Sequence, residues 1–548
     1  MTTAPFLNPL LRKACGLTAV TLTVSAVLLH VFSFIVVGGL WRDEIGLVNI
    51  ALLPSWKEII WGLMHDHCPV VFPAVVRSWS ALGLAQTDTG LRVLGLIMGL
   101  FVVASFWLAG RMMGRQPPLL FLSLVATNPV IIRYGDSMRG YALGIAFIVL
   151  TMGLIWRFIE VPSVRRGLLA GLGAVLSVQT LYQNAFFLLA ICVGGVAVSL
   201  RQRQSSKAVG VLAVGFVAAL SLLPYIHPIL EARSWWVVSQ SGTSLAIAWR
   251  YLSQITGTFL GVWIIVVVLA AAFGMSPVIP GRRREMDYDR MDLPLFGGMA
   301  LVLGVIGFGA FLKLTGLPTQ VWYYIPGLCF AVVCCDAVVS QVHPLVKIGA
   351  LAIAVAALLV SISPSAYTAL RWRQTNGDLV AAHVARNAAP DDLVVVHPWY
   401  FGLTFSYYYH GAAQWTTLPP LADYRFHRYD LIKEQLATTN AIAPVLARLE
   451  TTLRSGHRVW IVGNISAPPP GSPVPRELPV APHGPLGWSD HPYTDAWGSE
   501  VGYFLMEHIT NSTLILNPDT NTVPINPMEK ITLVVASGWR IPASANAP

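Results

Sequence analysis

Apolar runs long enough to cross a bilayer recur through the first two thirds of this 548-residue chain, and no other feature restricts its fold as strongly. They lie near residues 16–39, 91–110, 117–132, 140–156, 167–182, 184–200, 208–224, 256–276, 293–312, 322–340 and 346–363. That makes about eleven spans, several of them shorter than the ~20 residues of a typical membrane helix. Lipid offers no hydrogen-bond partners, so each run must satisfy its own backbone, which a helix does and an irregular coil does not. Charged residues make up 11% of the chain and hydrophobic ones 55%, whereas soluble domains carry roughly 25% charge. The mean hydropathy of +0.61 agrees. A polytopic α-helical membrane protein follows.

The net charge of +9 belongs to this architecture and not to nucleic-acid binding, because the basic residues sit in short clusters between apolar runs. Arg12/Lys13, Arg111/Arg115, Arg157/Arg165/Arg166, Arg201/Arg203/Lys207, Arg282/Arg283/Arg284/Arg290 and Lys347 fall in alternate connections, as cytoplasmic loops do. The N-terminus is therefore expected in the cytoplasm. The first run reads as a retained anchor of a multi-pass protein in the plasma (inner) membrane. An odd number of spans puts the C-terminal region on the extracytoplasmic (periplasmic) side. Six cysteines show no zinc-site spacing and imply no disulfide framework.

After Ser363 the composition becomes that of a water-soluble domain, and the expected domains are residues 1–365, including an outer loop 40–90, and 366–548. Asp392 to His397 predicts a buried strand, Tyr400 to His410 a helix, and the stretch to Leu418 an extended segment. Ala443 to Leu453 predicts a helix and Arg458 to Val462 a second strand. A Pro-rich loop over 466–487, a helix from Tyr493 to Ile509 and a last strand from Ile531 to Val535 complete the pattern. Strands alternating with helices predict a small α/β unit with a mostly parallel sheet. No Gly-rich phosphate fingerprint follows the first strand, which argues against nucleotide binding.

The outer connections hold the chemistry. The first carries Trp41-Arg42-Asp43-Glu44 and then His65-Asp66-His67-Cys68-Pro69, with amphipathic pieces at 56–64 and 69–84 suited to the membrane interface. The second is Arg133-Tyr-Gly-Asp136-Ser-Met-Arg139-Gly-Tyr141. Later ones bring Arg233 with Trp235 and Trp236, and Lys313 with Trp322-Tyr323-Tyr324. Each has a plain structural reading: a solvated helix end, a basic residue reaching for the headgroups, or an aromatic belt. His65 and His67 suit an extended metal-binding pair, but no further ligands lie nearby in sequence, so a hydrogen-bonded loop is the expected case. Asp336, deep in an apolar run, reads as a structural hydrogen bond or a protonated side chain.

In their order, the Asp-Glu pair, the His-x-Pro-like segment and the Leu91-Arg92 that opens the next span resemble the GT-C superfamily of membrane glycosyltransferases. The nearest types are the dolichyl-phosphate-mannose-mannosyltransferase-like and lipopolysaccharide-sugar-transferase-like families. The resemblance covers roughly residues 10–340, best over 38–145. It departs at Cys68-Pro69-Val70-Val71, where such enzymes commonly have His-Pro-Pro followed by Leu-Tyr-Tyr, and it does not extend to the C-terminal domain. The resemblance implies transfer of a sugar from a polyprenyl-phosphate donor to a lipid, glycan or protein acceptor on the outer face. It implies Asp43 as general base, with Glu44 as helper or structural partner. A leaving lipid phosphate needs fixed cations. Arg139 beside Tyr141 is the first candidate, with Lys313, Arg233 and His67 as weaker ones. Tyr323 and Tyr324 are candidates to stack on the sugar. No metal site is assigned, and a divalent metal ion is left open as a cofactor. The alternative is a lipid or glycan transporter or flippase without transferase activity. An internal repeat and midplane charges would mark it, but the sequence shows no repeat and its charges crowd the outer boundary. A sensory or anchoring protein is a third reading, and it would not need the Asp-Glu loop.

Overall fold

The computed structural model describes the chain except for residues 1–8, 67, 115, 240–243, 277–290, 317–318, 342–343, 362, 466, 470, 521–522 and 542–548. The basic cluster at 282–290, Arg115 and His67 lie outside the described residues. The chain divides into two compact units. One holds Met1–Ile35, Cys68–His227 and Ser241–Leu370, and the other holds Val36–His67, Pro228–Gln240 and Arg371–Pro548. The sequence grouped the whole outer loop with the membrane helices. Its first half, Val36–His67, instead packs with the C-terminal residues, because its polar side chains find their partners there.

The first unit is helical. Among the described residues eight helices are long and apolar enough to cross a membrane: Pro9–Val36, Asp88–Met113, Tyr141–Glu160, Asn184–Arg201, Ser205–Ser239, Leu245–Met275, Asp292–Thr315 and Val321–Val339. A ninth span forms if Ile348–Ser361 and Pro364–Leu370, bent by 66°, are taken together. The expectation of about eleven spans is corrected at two runs. The run at 117–132 breaks into Leu119–Leu124 and Pro129–Gly135. Asn128 ends the continuity: its side chain accepts from Val130 N and Ile131 N and starts the second piece, with Pro129 in its first turn. The run at 167–182 gives Val164–Val178, only 15 residues, opened by a Ser163 cap on Arg166 N.

Asp336 explains how the broken run is tolerated. Its two carboxylate oxygens accept from Leu120 N and Phe121 N, each at 3.1 Å. These are donors that the first turn of Leu119–Leu124 would leave without partners. Of the two readings open for Asp336, the structural hydrogen bond is the one seen.

The second unit is built on a five-stranded sheet: β1 (Leu393–His397), β2 (Gln414–Thr417), β3 (Val459–Gly463), β4 (Asn511–Leu516) and β5 (Leu533–Ser537), in the order β2-β1-β3-β5-β4. β1 runs parallel to β2 and to β3, with Val395 level with Thr416 and Ile461. β5 is antiparallel to both β3 and β4. The mostly parallel sheet expected from the sequence is therefore mixed, and β4 was not foreseen. It is an edge strand whose first four residues are exposed, so it lacks the apolar run that marked β1 and β3.

Successive side chains of a strand point to opposite faces, and both faces are covered here. Leu393, Val395, Val459 and Ile461 join Trp399, Leu449, Trp497 and Val501 on one side. Val394, Val396, Trp460 and Val462 join Val380, Val384, Phe401 and Phe405 on the other. Asp392 fastens the strand starts, accepting from Arg458 N, Ala389 N and Trp460 Nε1, all at 2.9 Å. Burial pushes its pKa up, but these donors and the Arg458 guanidinium outweigh it and hold the carboxyl below its usual range.

One ion pair ties the loop after the first span to the sheet. Arg42 Nη1 donates to Glu529 Oε1 at 2.7 Å and to Met528 O at 2.5 Å. Glu529 Oε2 accepts from Thr375 Oγ1 at 3.0 Å and Thr404 Oγ1 at 3.1 Å. The guanidinium lies 4.5 Å from the Tyr400 ring centre. Both partners are buried, and removing one member of such a pair costs about 3–5 kcal/mol, because it strands the other charge. Glu529→Ala is expected to destabilise the second unit by that amount, and Glu529→Gln by less, read as the unfolding midpoint of the detergent-solubilised protein. Equal midpoints for Glu529→Ala and the parent protein would remove this pair as a structural tie.

Candidate functional site

Asp43 lies in the first turn of the helix Arg42–Ala51, which Trp41 opens with extended backbone at φ −94° and ψ 167°. Its Oδ1 is 3.8 Å from Arg42 Nε and 3.7 Å from His427 Nε2, and 16% of its side chain is exposed. Gly46 follows three residues later on the same helix face. A Cβ there would sit 3.6 Å from Asp66 Oδ2 and 3.7 Å from His427 Nδ1, in ordinary van der Waals contact, so both groups pack beside this helix. The His427 ring stacks on Tyr429 at 5.9 Å and meets Trp399 edge-on at 6.3 Å. A part-exposed carboxylate is thus flanked by a guanidinium and an imidazole whose plane is fixed by two aromatic rings. Such an arrangement can accept a proton from a hydroxyl and keep the acid oriented.

Glu44 is placed differently. It is fully buried, and its Oε2 accepts from Trp41 N at 3.2 Å. It closes the first helical turn. His65 sits among rings, stacked on Trp235 at 5.3 Å and tilted against Phe426 at 5.1 Å, with Nδ1 3.9 Å from Asp430 Oδ1. Arg428 bonds Asp423 at 2.9 Å and Asp430 at 2.7 Å. Burial pushes the pKa of each acid up, but their bonds to Arg425 and Arg428 hold both below the ordinary carboxylate value. Among the described residues no group of three or more His, Cys, Asp and Glu side chains is placed to hold a metal ion. Arg233 is exposed on the helix Ile226–Trp236.

The remaining candidates belong to the membrane unit. Arg139 lies in the turn between Pro129–Gly135 and Tyr141–Glu160, and its guanidinium is 6.0 Å from the Tyr141 ring centre. Lys313 and Tyr324 both line a cavity of about 710 Å³, walled by Phe187, Trp263, Phe308 and Phe330 among others. Tyr324 donates to Thr319 Oγ1 at 3.3 Å. Tyr323 stacks on Trp322 at 6.3 Å. The structure therefore brings together two sets: Asp43 with Arg42, Asp66 and His427, and Lys313 with Tyr324. His427 escaped the sequence reading because it lies hundreds of residues from Asp43 in a stretch without periodicity or motif.

No family model matches this chain, and no curated protein matches it. Solved structures similar to it include ArnT from Cupriavidus metallidurans bound to undecaprenyl phosphate. That match has 11% identity, covers 81% of this chain and 92% of that one, and has a TM-score of 0.48. Another is the Archaeoglobus fulgidus oligosaccharyltransferase in complex with zinc and sulfate, at 12% identity, 80% and 67% coverage and a TM-score of 0.44. The archaeal oligosaccharyltransferase AglB from Archaeoglobus fulgidus, in complex with an inhibitory peptide and a dolichol-phosphate, matches at 11% identity, 97% and 75% coverage and a TM-score of 0.42. Overlap at this level does not carry chemistry from one chain to another, and the functional reading rests on the residues described above.

Two buried imidazoles of the second unit give it an acid limit. Burial pushes His65 down to about 4, against the pull of Asp430, and pushes His397 down to about 4 at the end of β1. In the unfolded chain a histidine titrates near ~6.5. Between these values the unfolded chain binds protons that the folded one does not, so stability falls as pH drops from about 6.5 to 4 and is unaffected by these groups above that window. His65→Phe, which suits the aromatic surroundings, is expected to flatten this acid loss by about half. Unfolding midpoints of parent and variant at pH 7.5, 6 and 5 check it, and parallel curves would count against the assignment.

Proposed function

We propose that this protein is an integral membrane glycosyltransferase of GT-C type. It moves a sugar from a polyprenyl-phosphate donor to an acceptor hydroxyl at the extracytoplasmic face of the plasma membrane. The observation that carries the reading is Asp43: a part-exposed carboxylate one short turn beyond the first membrane helix, flanked by Arg42 and His427. In the proposed reaction Asp43 takes the proton of the acceptor hydroxyl. The acceptor oxygen bonds to the anomeric carbon, and the bond from that carbon to the phosphate oxygen breaks. The electron pair leaves with the polyprenyl phosphate, whose charge needs fixed cations. Arg139 is assigned that role, with Lys313 as a second cation. A single displacement of this kind inverts the anomeric carbon.

The apolar cavity supports a long-chain donor. It lies among membrane helices and is lined mainly by apolar side chains, with Ser244, Thr256, Lys313 and Tyr324 among the polar groups at hand for a headgroup. The aromatic pair Trp322-Tyr323 offers faces for a sugar. The N-terminus is assigned to the cytoplasm from the alternation of basic clusters. No metal ion is given a step.

Two outcomes test the reading. Asp43→Asn keeps the shape and removes the base, so transfer of labelled sugar from polyprenyl-phosphate donors to an envelope extract is expected to fall at least about 100-fold, with insertion and expression unchanged. Transfer at the parent rate would sink the base assignment. Gly309 also lines the cavity, and a Cβ there meets nothing within 4 Å. Gly309→Phe is expected to put a ring into the cavity and raise the donor KM while leaving the acceptor KM alone, and an unchanged donor KM would take the lipid chain out of this cavity.

A further inference from the structure

Asp136 is buried in the turn that leads to Arg139, beside the helix Asp88–Met113. Its Oδ1 shares a hydrogen bond of 2.7 Å with His30 Nδ1, from the first membrane helix. Two bare positions on the neighbouring helix let it come so close. A Cβ on Gly95 would lie 2.1 Å from the Asp136 carbonyl oxygen, and one on Gly99 would lie 1.9 Å from Oδ1 and 2.9 Å from the His30 ring. These glycines are four residues apart and so share a helix face. They form a socket, Asp136 fills it, and His30 closes it from the far side. Arg92, also buried, adds its charge to the same carboxylate.

A polar cluster in an apolar surrounding is costly, and residues that only fill space do the same work with hydrocarbon. What this cluster fixes is the turn. Ser137 Oγ donates to Tyr134 O at 2.6 Å, and Arg139 N donates to Ser137 O at 2.7 Å. The backbone is thus held from the anchored acid to Arg139, three residues on. At the far end a Cβ on Gly140 would lie 3.1 Å from Thr180 O, so the turn is clamped there too. We propose that His30 and Asp136 are positioning residues: they hold the Arg139 turn in one register, so that the guanidinium meets the phosphate of the lipid carrier without being ordered anew at each turnover. This inference rests on the assignment of Arg139 to the phosphate.

The test is a double-mutant cycle on the full-length protein in lipid nanodiscs, with undecaprenyl phosphate as the probe and undecaprenol as the phosphate-free control. Arg139→Ala, Asp136→Ala and His30→Ala are each expected to weaken undecaprenyl phosphate binding by about tenfold and to leave undecaprenol binding unchanged. Asp136→Ala combined with Arg139→Ala is expected to be no weaker than Arg139→Ala alone, because the two act as one unit. Asp136→Asn, which keeps a hydrogen bond to His30, is expected to restore most of the affinity. Full additivity, or a loss shared by undecaprenol, would reduce Asp136 to a packing residue and overturn the inference while leaving Arg139 in its role. An unchanged affinity in Arg139→Ala would instead overturn the phosphate assignment itself. If Asp136→Ala does not fold, His30→Ala and Asp136→Asn decide the matter, since His30→Ala leaves the sequence of the turn intact.

Discussion

The buried pair of Arg42 and Glu529 decides how the second unit is assembled. A guanidinium taken out of water is tolerable only if its donors are met and its charge is balanced. Here Glu529 takes the charge, Met528 O takes a second donor bond, and the Tyr400 ring covers the face. Burial alone pushes the Arg42 pKa down, but Glu529 and Asp43 outweigh it and hold it above its ordinary value. The carboxylate is in turn oriented by Thr375 and Thr404, which come from different parts of the domain. Fixing Arg42 also fixes its neighbour Asp43. Within the second unit, the position of the proposed base is therefore set by the C-terminal residues that hold Arg42.

In the membrane unit a different constraint governs. Every backbone donor in lipid needs a partner, and the run at 117–132 cannot supply them all, because prolines and Asn128 interrupt it. Asp336 and the Asn128 side chain supply the missing acceptors at the starts of the two short pieces. The second piece ends at Gly135, and the turn at 136–140 that follows carries the buried Asp136 and Arg139.

Much of this was legible in the sequence. Span-length runs, the change of composition after Ser363 and the strands β1 and β3 all stood out because burial on both faces leaves an unbroken apolar signature. β4 did not, because an exposed edge strand has no such signature, and the two antiparallel pairings followed from it unseen. The break at 117–132 was written in Pro117, Pro118 and Asn128-Pro129, yet hydropathy averaged over it. His427 and Glu529 could not be found at all: they reach Asp43 and Arg42 only through the fold, and neither sits in a local pattern that sets it apart from an ordinary surface residue.

The Asp-Glu pair shows most clearly why adjacency in sequence is not adjacency in function. Neighbouring residues on a helix diverge by about 100°, so two acids in succession at its start point in different directions. Glu44 turns inward and closes the first turn on Trp41 N. Asp43 turns toward His427, which packs with Asp66 beside Gly46. The helix geometry turns one acid into the helix start and leaves the other part-exposed beside Arg42 and His427. The same pair of letters in an extended loop would present its carboxylates to opposite sides and leave both without a fixed bearing.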